Sequence, residues 1–494
     1  MTDLLSKETR RLSGVFDQDV ALFKDIFQCD ATFRVREFQA GTGMRCALMY
    51  LDGMVNNQLM NLSIVRPLML AESVSGEPSE DVARRILFSN DVKSTDQLQD
   101  ILRGILYGDS FLLLEHASSG LVMNTKGWRT RGVSEPKNET VLQGPREGFD
   151  EAAMLNLAQL RRKLLTPDLC IELQRIGRRT DTPVFICYLG SLADPELVRQ
   201  VKKKLEQIDI DGILDSNYIN ELIRDRKYSL FKTCGSTERP DVVASKLLEG
   251  RVAIMVDGSP AVITVPYLFS ESFQSDEDYY LNFWVASVGR FLRYVCFFLT
   301  VAVPAVYLAL LLYHQRLLPT FFLLSAAQAR SGVPFSSLVE CLALVLVLEI
   351  LKETGARMPQ NLGHTLSIVG GLVVGQAAVE AKLVSAPMLI AVAVSGIAGL
   401  MIPRLRAAIF YLRLLMIFLA AFLGIIGCFL GMTLILTRIL SISSFGVSYT
   451  CSLEHPTVQG LKDTAVRLPW GWMKQRPFFN RNLKRQGDGA HEKN

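Results

Sequence analysis

An uncharged apolar run from Tyr294 to Tyr313 constrains the fold of this chain more than any other feature of its sequence. A helix of about 20 such residues covers the roughly 30 Å hydrocarbon core of a bilayer, so the run predicts a membrane-spanning helix. Arg290 and Arg293 directly precede it. Because basic residues concentrate on the cytoplasmic side of membrane helices, we expect the N-terminal half to be cytoplasmic. The first residues, MTDLLSKETRRLSG, lack the apolar segment of a secretory signal and favour the same side.

Further apolar segments follow the first predicted span, at Phe335–Leu351, Leu366–Val384, Pro387–Ile402 and Ala408–Leu440. The last segment is too long for one crossing, and its three glycines, Gly424, Gly427 and Gly431, predict a tight hairpin of two helices. The basic tail beyond residue 462 is predicted to be cytoplasmic, so the number of crossings must be even.

The segment Phe335–Leu351 decides the number of crossings. It contains Glu340 and Glu349, which nine residues apart point to opposite faces of a helix. It is therefore predicted either to cross within a bundle or to lie at the membrane interface. Counting it gives six crossings, and excluding it requires another crossing or re-entrant piece such as Leu317–Ser325.

The N-terminal half repeats two patterns in the same order. The run CALMYLDG at 46–53 resembles VFICYLGS at 184–191, and both predict a buried strand that ends in a turn. ILYGDSFLLLEH at 105–116 and LLEGRVAIMVDG at 247–258 each predict a helix end, a glycine and a strand. We therefore expect two related α/β subdomains, at about 30–140 and 165–270, followed by an all-α polytopic membrane domain.

These patterns divide the chain into five parts. They are a first α/β subdomain (1–143), a linking helix (144–164), a second α/β subdomain (165–285), a transmembrane domain (286–450) and a basic cytoplasmic tail (451–494). In the linking segment, Asp150 is predicted to cap the helix. In the second subdomain, Asp194 is predicted to cap a helix that has Pro195 in its first turn.

Two arginine pairs are candidates for binding an anion. Arg161 and Arg162 lie at the end of the linking helix, and Arg178 and Arg179 lie in IGRRTDT. A guanidinium binds phosphate or carboxylate well, but paired arginines at helix ends also form structural ion pairs or remain solvated. The sequence leaves both interpretations open.

The segment LSIVGGLVVGQAAVEAKLVS holds the candidate functional site of the membrane half. Ser367, Gly371 and Gly375 recur every four residues and predict a small-residue face on which a neighbouring helix packs. Gln376 and Glu380 form a second, polar stripe that is rotated by roughly a third of a turn. A polar stripe at membrane depth costs several kcal/mol unless it meets water, an ion or a partner. A hydrogen bond to a neighbouring helix, or a position near the interface, is the alternative.

Several functional classes are disfavoured by the residues. A net charge of +4 over 494 residues argues against nucleic acid as a partner. The nine cysteines form no CxxC pair, so no metal site or other cofactor is predicted. No Ser-His-Asp arrangement, phosphate loop or catalytic carboxylate pair is evident in the sequence, and an enzyme is not expected.

Several stretches resemble the GerA family of spore germination proteins, in particular its A subunits. They are GPREGFDEAAMLNLAQLRRKL, QRIGRRTDTPVFICYLGSLADPELV, TERPDVVASKLLEGRVAIMVDGSPAVITVP, FQSDEDYY, GVPFSSLVE, EILKETGARMP, LSIVGGLVVGQAAVEAKLVSAP and SFGVSY. The resemblance extends from about Gly144 to Tyr449 and is looser over the first hundred residues.

The resemblance implies a nutrient-sensing germinant receptor subunit in the spore inner membrane. It implies two partners, a transporter-like B subunit and a lipoprotein C subunit, in contact with membrane lipid. It also implies a homo-oligomer that forms a nutrient-gated ion channel, with the nutrient site mainly in the B subunit. In such a channel, Val373, Val374 or Leu372 is a candidate for an apolar gate beside Gln376 and Glu380.

Three alternatives remain open from the sequence. The first is a membrane-anchored signalling scaffold, in which the soluble half recruits partners. The second is a germination amplifier similar to the stage V sporulation protein AF group, which shares much of the pattern. The third is a secondary transporter, which is less favoured because the membrane half has no visible inverted repeat.

Overall fold

The computed structural model describes residues 11–73, 78–89, 91–128, 139, 143–226, 228–357, 373–451 and 463–472. Two antiparallel five-stranded sheets with covering helices form the soluble half. Helices form most of the remaining described residues, together with a short antiparallel pair of strands, Ser443–Ser444 and Val447–Ser448. Of the sequence predictions, Ser367, Gly371, Leu372 and most of the basic tail lie outside the described residues.

The first sheet is formed by strands β1 to β5. Their bounds are β1 Phe33–Gln39, β2 Arg45–Leu51, β3 Val92–Thr95, β4 Ser110–Leu114 and β5 Gly120–Met123. The strand order across the sheet is β1-β2-β4-β5-β3, and each neighbouring pair is antiparallel. All five residues of β4 are buried, since the sheet carries a hydrophobic core on both faces.

The second sheet is formed by strands β6 to β10. Their bounds are β6 Leu169–Ile176, β7 Thr182–Leu189, β8 Gly235–Thr237, β9 Val252–Val256 and β10 Val262–Val265. The strand order is β6-β7-β9-β10-β8, again antiparallel throughout. Adding five to each strand number of the first sheet gives this order, so the two sheets have the same topology. The two subdomains are therefore related, as the repeated patterns predict.

Nine α-helices belong to the described part of the soluble half. They are α1 Phe16–Ile26, α2 Asn57–Met60, α3 Arg66–Leu70, α4 Pro78–Asp81, α5 Leu98–Leu106, α6 Ala153–Lys163, α7 Pro195–Glu206, α8 Ser216–Leu222 and α9 Pro240–Leu248. π-helical turns at Asn61–Val65 and Val82–Ile86 follow α2 and α4. The helices cover both faces of each sheet, which gives two three-layer units.

The helix caps agree with the sequence at α7 and differ at α6. The Asp194 side chain accepts a hydrogen bond from the Glu196 amide, and Pro195 begins α7. The predicted cap of α6 by Asp150 is wrong, because its N-cap residue has no side-chain cap. Instead, Asp257 in the turn after β9 accepts a hydrogen bond from the Ala153 amide at 3.0 Å. The cap is therefore supplied across the fold.

Six α-helices form most of the described part of the C-terminal half. Their bounds are α10 Phe283–Leu312, α11 Thr320–Arg330, α12 Ser337–Arg357, α13 (described over 373–380), α14 Ala386–Leu400 and α15 Arg406–Leu440. The end of this half that lies away from the soluble domains is called the far side. By length and composition, α10 and the segment Pro403–Leu440 are long and apolar enough to cross a membrane, and α14 is a shorter apolar helix.

Contacts at the helix ends give the directions of α10 and α12. The start of α10 adjoins the soluble half, where Arg290 pairs with Asp278. α12 runs back from the far side, since Glu340 near its start bonds to Ser385 before α14, while Glu353 near its end pairs with Arg406. α12 therefore runs through the helix bundle in the direction opposite to α10, and the number of crossings stays a prediction.

α15 is a helical hairpin that bends at Gly424, as the three glycines predict. Gly424 has φ 64° and ψ −140°, a conformation that L-residues with a Cβ avoid. A Cβ added to Gly427 would lie 2.0 Å from the Leu419 carbonyl oxygen, so the two arms touch backbone to backbone. Each arm is about 25 Å long at about 1.5 Å per residue, which approaches the thickness of a bilayer core. The Tyr313 hydroxyl donates to the Ala421 carbonyl at 2.7 Å and holds the bend at the far side.

Candidate functional site

The polar stripe of α13 lies on the outer surface of the helix bundle. Gln376 Nε2 donates to Glu380 Oε1 at 3.0 Å, the geometry of an i,i+4 pair on one helix face. Both residues are exposed. Neither side chain forms another hydrogen bond with the described residues. The stripe therefore faces away from the other described helices.

The opposite face of α13 packs against the bundle. Ala378 and Val379 contact the main hydrophobic core of the membrane half. A Cβ added at Gly375 would lie 3.7 Å from Leu389 Cδ2, an ordinary van der Waals contact. Gly375 thus lies on the packing face, although an alanine would also fit there.

The two valines of α13 lie at different positions around the helix. Val373 is 58% exposed and lies within one helix turn of Gln376 on the outward face. Val374 is 48% exposed and lines a cavity of about 450 Å³ between α12, α13 and α14. Only Val373 therefore belongs to the outward stripe.

Glu340 is the charged residue on the wall of that cavity. Its side chain is 1% exposed. The carboxylate oxygen Oε1 accepts hydrogen bonds from the amide and hydroxyl of Ser385, at 2.6 and 2.5 Å. Glu340 therefore fixes the start of α12 to the start of α14. Glu349 is partly buried and lies 3.9 Å from Lys352, so neither glutamate faces lipid freely.

A buried ion-pair network joins the soluble half to the start of α10. Arg290 is fully buried, and its guanidinium contacts Asp278 Oδ2 and Asp463 Oδ1, each at 2.8 Å. Arg293 adds a bidentate contact to Asp278 at 2.9 and 3.0 Å. The two arginines that predicted orientation are therefore also structural partners of FQSDEDYY and of the C-terminal segment.

The C-terminal segment and the α14–α15 connection complete this junction. Arg467 donates to the carbonyl oxygens of Asp278 and Leu281, both at 2.7 Å. Arg404, which follows α14, contacts Asp276 Oδ1 at 3.0 Å. Residues far apart in sequence therefore hold the ends of α10, α14 and the chain together.

Glu271 is a second buried charge at the junction. Burial alone would raise its pKa, but Arg251 and Lys246 outweigh burial and hold the pKa at about 2. Lys246 Nζ lies 2.8 Å from Glu271 Oε2. The carboxylate is therefore ionised across the physiological range.

The four arginines proposed as anion ligands or structural pairs occupy different environments. Arg161 is buried, pairs with Asp30 of the first subdomain and donates to the Thr166 carbonyl at 2.8 Å. Arg162 lies over the Trp128 ring at 5.7 Å. Arg178 makes an exposed two-point contact with Asp209, and Arg179 lies 4.0 Å from Asp211. The structure does not bring the four together into one site.

The architecture defines a class: a polytopic membrane protein whose large soluble half is a duplicated α/β unit attached through buried ion pairs. The family model described as "Bacillus/Clostridium GerA spore germination protein" matches residues 21–479. The chain therefore belongs to the GerA family of spore germination proteins, as the sequence motifs indicate.

Two relatives from Bacillus subtilis (strain 168) illustrate the similarity. Spore germination protein KA is 37% identical over 448 residues, which cover 90% of this chain and 82% of that protein. The uncharacterized membrane protein YfkQ is 37% identical over 444 residues, which cover 90% and 86%.

The solved structures that match include the crystal structure of the N-terminal domain of the A subunit of the Bacillus megaterium spore germinant receptor GerK3. It aligns at 31% identity with a TM-score of 0.42 and covers 53% of this chain and 99% of that chain.

Proposed function

We propose that this chain is the ion-conducting A-type subunit of a nutrient-sensing germinant receptor. Several copies would associate in the spore inner membrane, with α13 of each copy facing a common pore. Family membership supports a role in spore germination. The channel and its oligomeric arrangement are the parts that we infer from the site.

The observation that carries the proposal is the outward stripe of α13. Gln376 and Glu380 lie on the surface of the C-terminal helices. A carboxylate that faces lipid without a cationic partner there would cost several kcal/mol. A water-filled pore between copies removes this cost, since it hydrates both side chains. Val373, on the same outward face, would narrow such a pore and could block ions by dewetting when the channel is closed.

The buried junction provides a route from the soluble half to the pore. Arg404 links the end of α14 to Asp276, and Glu340 links the start of α14 to α12 beside α13. A shift of the second subdomain would therefore act on α14, the neighbour of α13, through the Arg404–Asp276 ion pair and the Glu340–Ser385 hydrogen bonds. We infer that nutrient binding is detected by a transporter-like B subunit, and that a lipoprotein C subunit completes the complex.

Ion flux from liposomes tests the proposal. The receptor complex would be reconstituted with the wild-type chain or with a Gln376→Leu and Glu380→Met double variant. We expect nutrient to trigger flux in the wild type and the double variant to lose most of it. Thr433→Val is the matched control, since Thr433 is also exposed in the C-terminal half and its hydroxyl donates to the Phe429 carbonyl of its own helix at 2.9 Å.

A signalling scaffold is the second candidate, and the rigidity of the junction favours it. Arg290, Asp278 and Asp463 would anchor the soluble half without any need for a pore. In that case spores that carry the double variant would germinate normally. The reconstituted complex would conduct no ions, even with the wild-type chain. Normal germination together with no flux would therefore replace the channel with the scaffold.

A further inference from the structure

A polar cavity lies between the second sheet and the helix ends, in a place that the proposed channel does not use. This junction cleft has a volume of about 480 Å³. It is lined by β8, by parts of the segment 272–276, by Arg293 in the first half of α10 and by Met401 and Pro403 after α14. Its size falls within the roughly 300–1,000 Å³ of small-molecule sites. The cleft is therefore large enough to hold a ligand.

The cleft lies at the level where the membrane surface is expected. Arg293 on its wall directly precedes the uncharged run of α10, and Met401 and Pro403 on its wall follow α14. The neighbouring Ile397 and Leu400 are 68% and 66% exposed, which suits contact with acyl chains. A lipid whose tails lie along α14 would place its head group near the cleft.

Most charges on the wall of the cleft have a partner. Arg404 contacts Asp276, Lys246 contacts Glu271, and Arg293 contacts Asp278. Lys232 also lines the cleft, and it forms no hydrogen bond or ion pair with any of the described residues. Its ammonium group is therefore the cation that is available to an anionic ligand.

Electrostatic crowding around Lys232 supports an anionic ligand. Lys232 is exposed at the surface of the cleft, but the surrounding protein still desolvates its ammonium group and lowers its pKa. The guanidinium groups of Arg224 and Arg404 lower the pKa further, while Glu139 opposes them. An anion bound beside Lys232 would offset both effects, because it stabilises the charged ammonium group. The Ser236, Ser272 and Ser275 residues on the wall add hydroxyl groups to this environment.

Glu139 supplies a hydrogen-bond acceptor on the wall of the cleft. Its carboxylate accepts hydrogen bonds from the Thr237 hydroxyl at 2.6 Å and from the Glu238 amide at 3.1 Å. A carboxylate has further acceptor positions, which hydroxyl groups on a ligand would fill. The cleft thus suits a phosphate ester that also carries hydroxyl groups.

We propose that the junction cleft binds the phosphate group of an anionic ligand through Lys232, and that the ligand is the head group of a phospholipid such as phosphatidylglycerol. Basic sites beside the cytoplasmic ends of membrane helices bind anionic head groups in this way. A soluble phosphate has the same chemistry, so the test separates the two sources.

The test uses the full chain in nanodiscs of phosphatidylcholine with a minor fraction of phosphatidylglycerol. Native mass spectrometry would count the phosphatidylglycerol retained after gas-phase release, for the wild type, Lys232→Gln, Lys232→Arg and Lys203→Gln. Lys203 is the matched control because it is exposed on α7 of the same subdomain and does not line the cleft. We expect retention to fall about tenfold in Lys232→Gln and to persist in the other two variants.

A second arm measures the unfolding temperature of lipid-depleted protein in inorganic phosphate and in chloride of equal ionic strength. Selective retention of phosphatidylglycerol without stabilisation by phosphate supports the lipid. Stabilisation by phosphate that needs Lys232, without selective lipid retention, overturns the lipid assignment in favour of a soluble anion. Equal lipid retention and equal unfolding temperatures for Lys232→Gln and Lys203→Gln would overturn the site itself. If Lys232→Gln has a lower unfolding temperature than the wild type even without ligand, the site is assessed with Lys232→Arg instead. That variant keeps the positive charge and must retain the lipid.

Discussion

Replacing Gly427 with alanine should force the arms of the α15 hairpin apart. The added Cβ would lie 2.0 Å from the Leu419 carbonyl oxygen and 2.6 Å from its carbon, whereas ordinary contact begins at 3.4 Å. The arms must therefore separate by more than an ångström, because the obstacle is backbone rather than a flexible side chain. Overpacking typically costs about 1–3 kcal/mol, and we expect Gly427→Ala to reach or exceed the upper end.

Unfolding of the purified chain in mixed micelles measures this cost. Labelling of the adjacent Cys428 by a maleimide, located by mass spectrometry, reports on opening of the hairpin, since that thiol is buried in the native bundle. Gly375→Ala is the control, because its Cβ would meet Leu389 Cδ2 at an unstrained 3.7 Å and alanine favours a helix by up to about 1 kcal/mol. Equal stability and equal Cys428 labelling in the two variants would refute the hairpin geometry.

Three further predictions concern the junction and the far end of α10. Arg290→Ala should lower the free energy of unfolding by about 3–5 kcal/mol, because it leaves Asp278 buried with fewer partners; denaturant unfolding checks this, and the exposed Arg178→Ala should lose far less. For Glu271 the folded-state pKa of about 2 lies below the ordinary value of 4.5, so its stabilisation is present above pH 4.5 and is lost as the pH falls toward 2. Unfolding followed against pH should show this acid loss, on the order of 3 kcal/mol, in the wild type and not in Glu271→Gln. Tyr313→Phe should cost about 1 kcal/mol by removing the hydrogen bond to Ala421, measured in the same unfolding assay, and an unchanged midpoint would argue against that contact.

Local pattern predicted the elements that depend on local physics. The repeated strand and turn patterns predicted two related subdomains, since a buried strand needs a continuous apolar run that ends in turn residues. Gly424 predicted the hairpin because a bend between two helices requires a backbone conformation that other residues avoid. Asp194 predicted the start of α7 because its cap is formed by the adjacent residues.

Contacts between distant residues could not be predicted from the sequence. The cap of α6 comes from Asp257, which is 104 residues away from Ala153 in the chain. In the sequence, Arg290 is a basic residue that precedes a membrane helix. Its contact with Asp463, which is 173 residues away in the chain, depends on the fold. The acidic motif FQSDEDYY gave the one usable signal, since carboxylates so near a membrane helix require cationic partners.

The candidate site was predicted in part for the same reason. The spacing of Gln376 and Glu380 placed them on one helix face, and the structure adds that this face points outward. The cavity beside Val374 depends on how three helices pack, which no periodicity specifies. The junction cleft likewise requires β8 and the end of α14 to meet, although they are far apart in the chain.

Accessibility of the outward stripe to water tests the central claim most directly. A Gln376→Cys variant of the receptor complex would be exposed to a charged, membrane-impermeant thiol reagent while nutrient-triggered ion flux is recorded. The account predicts that the reagent stops flux in this variant. Flux should continue in the treated wild-type chain and in Ile426→Cys, whose position is 71% exposed on the hairpin. Unchanged flux in fully labelled Gln376→Cys, or no labelling at that position with the channel open, would contradict a pore lined by α13.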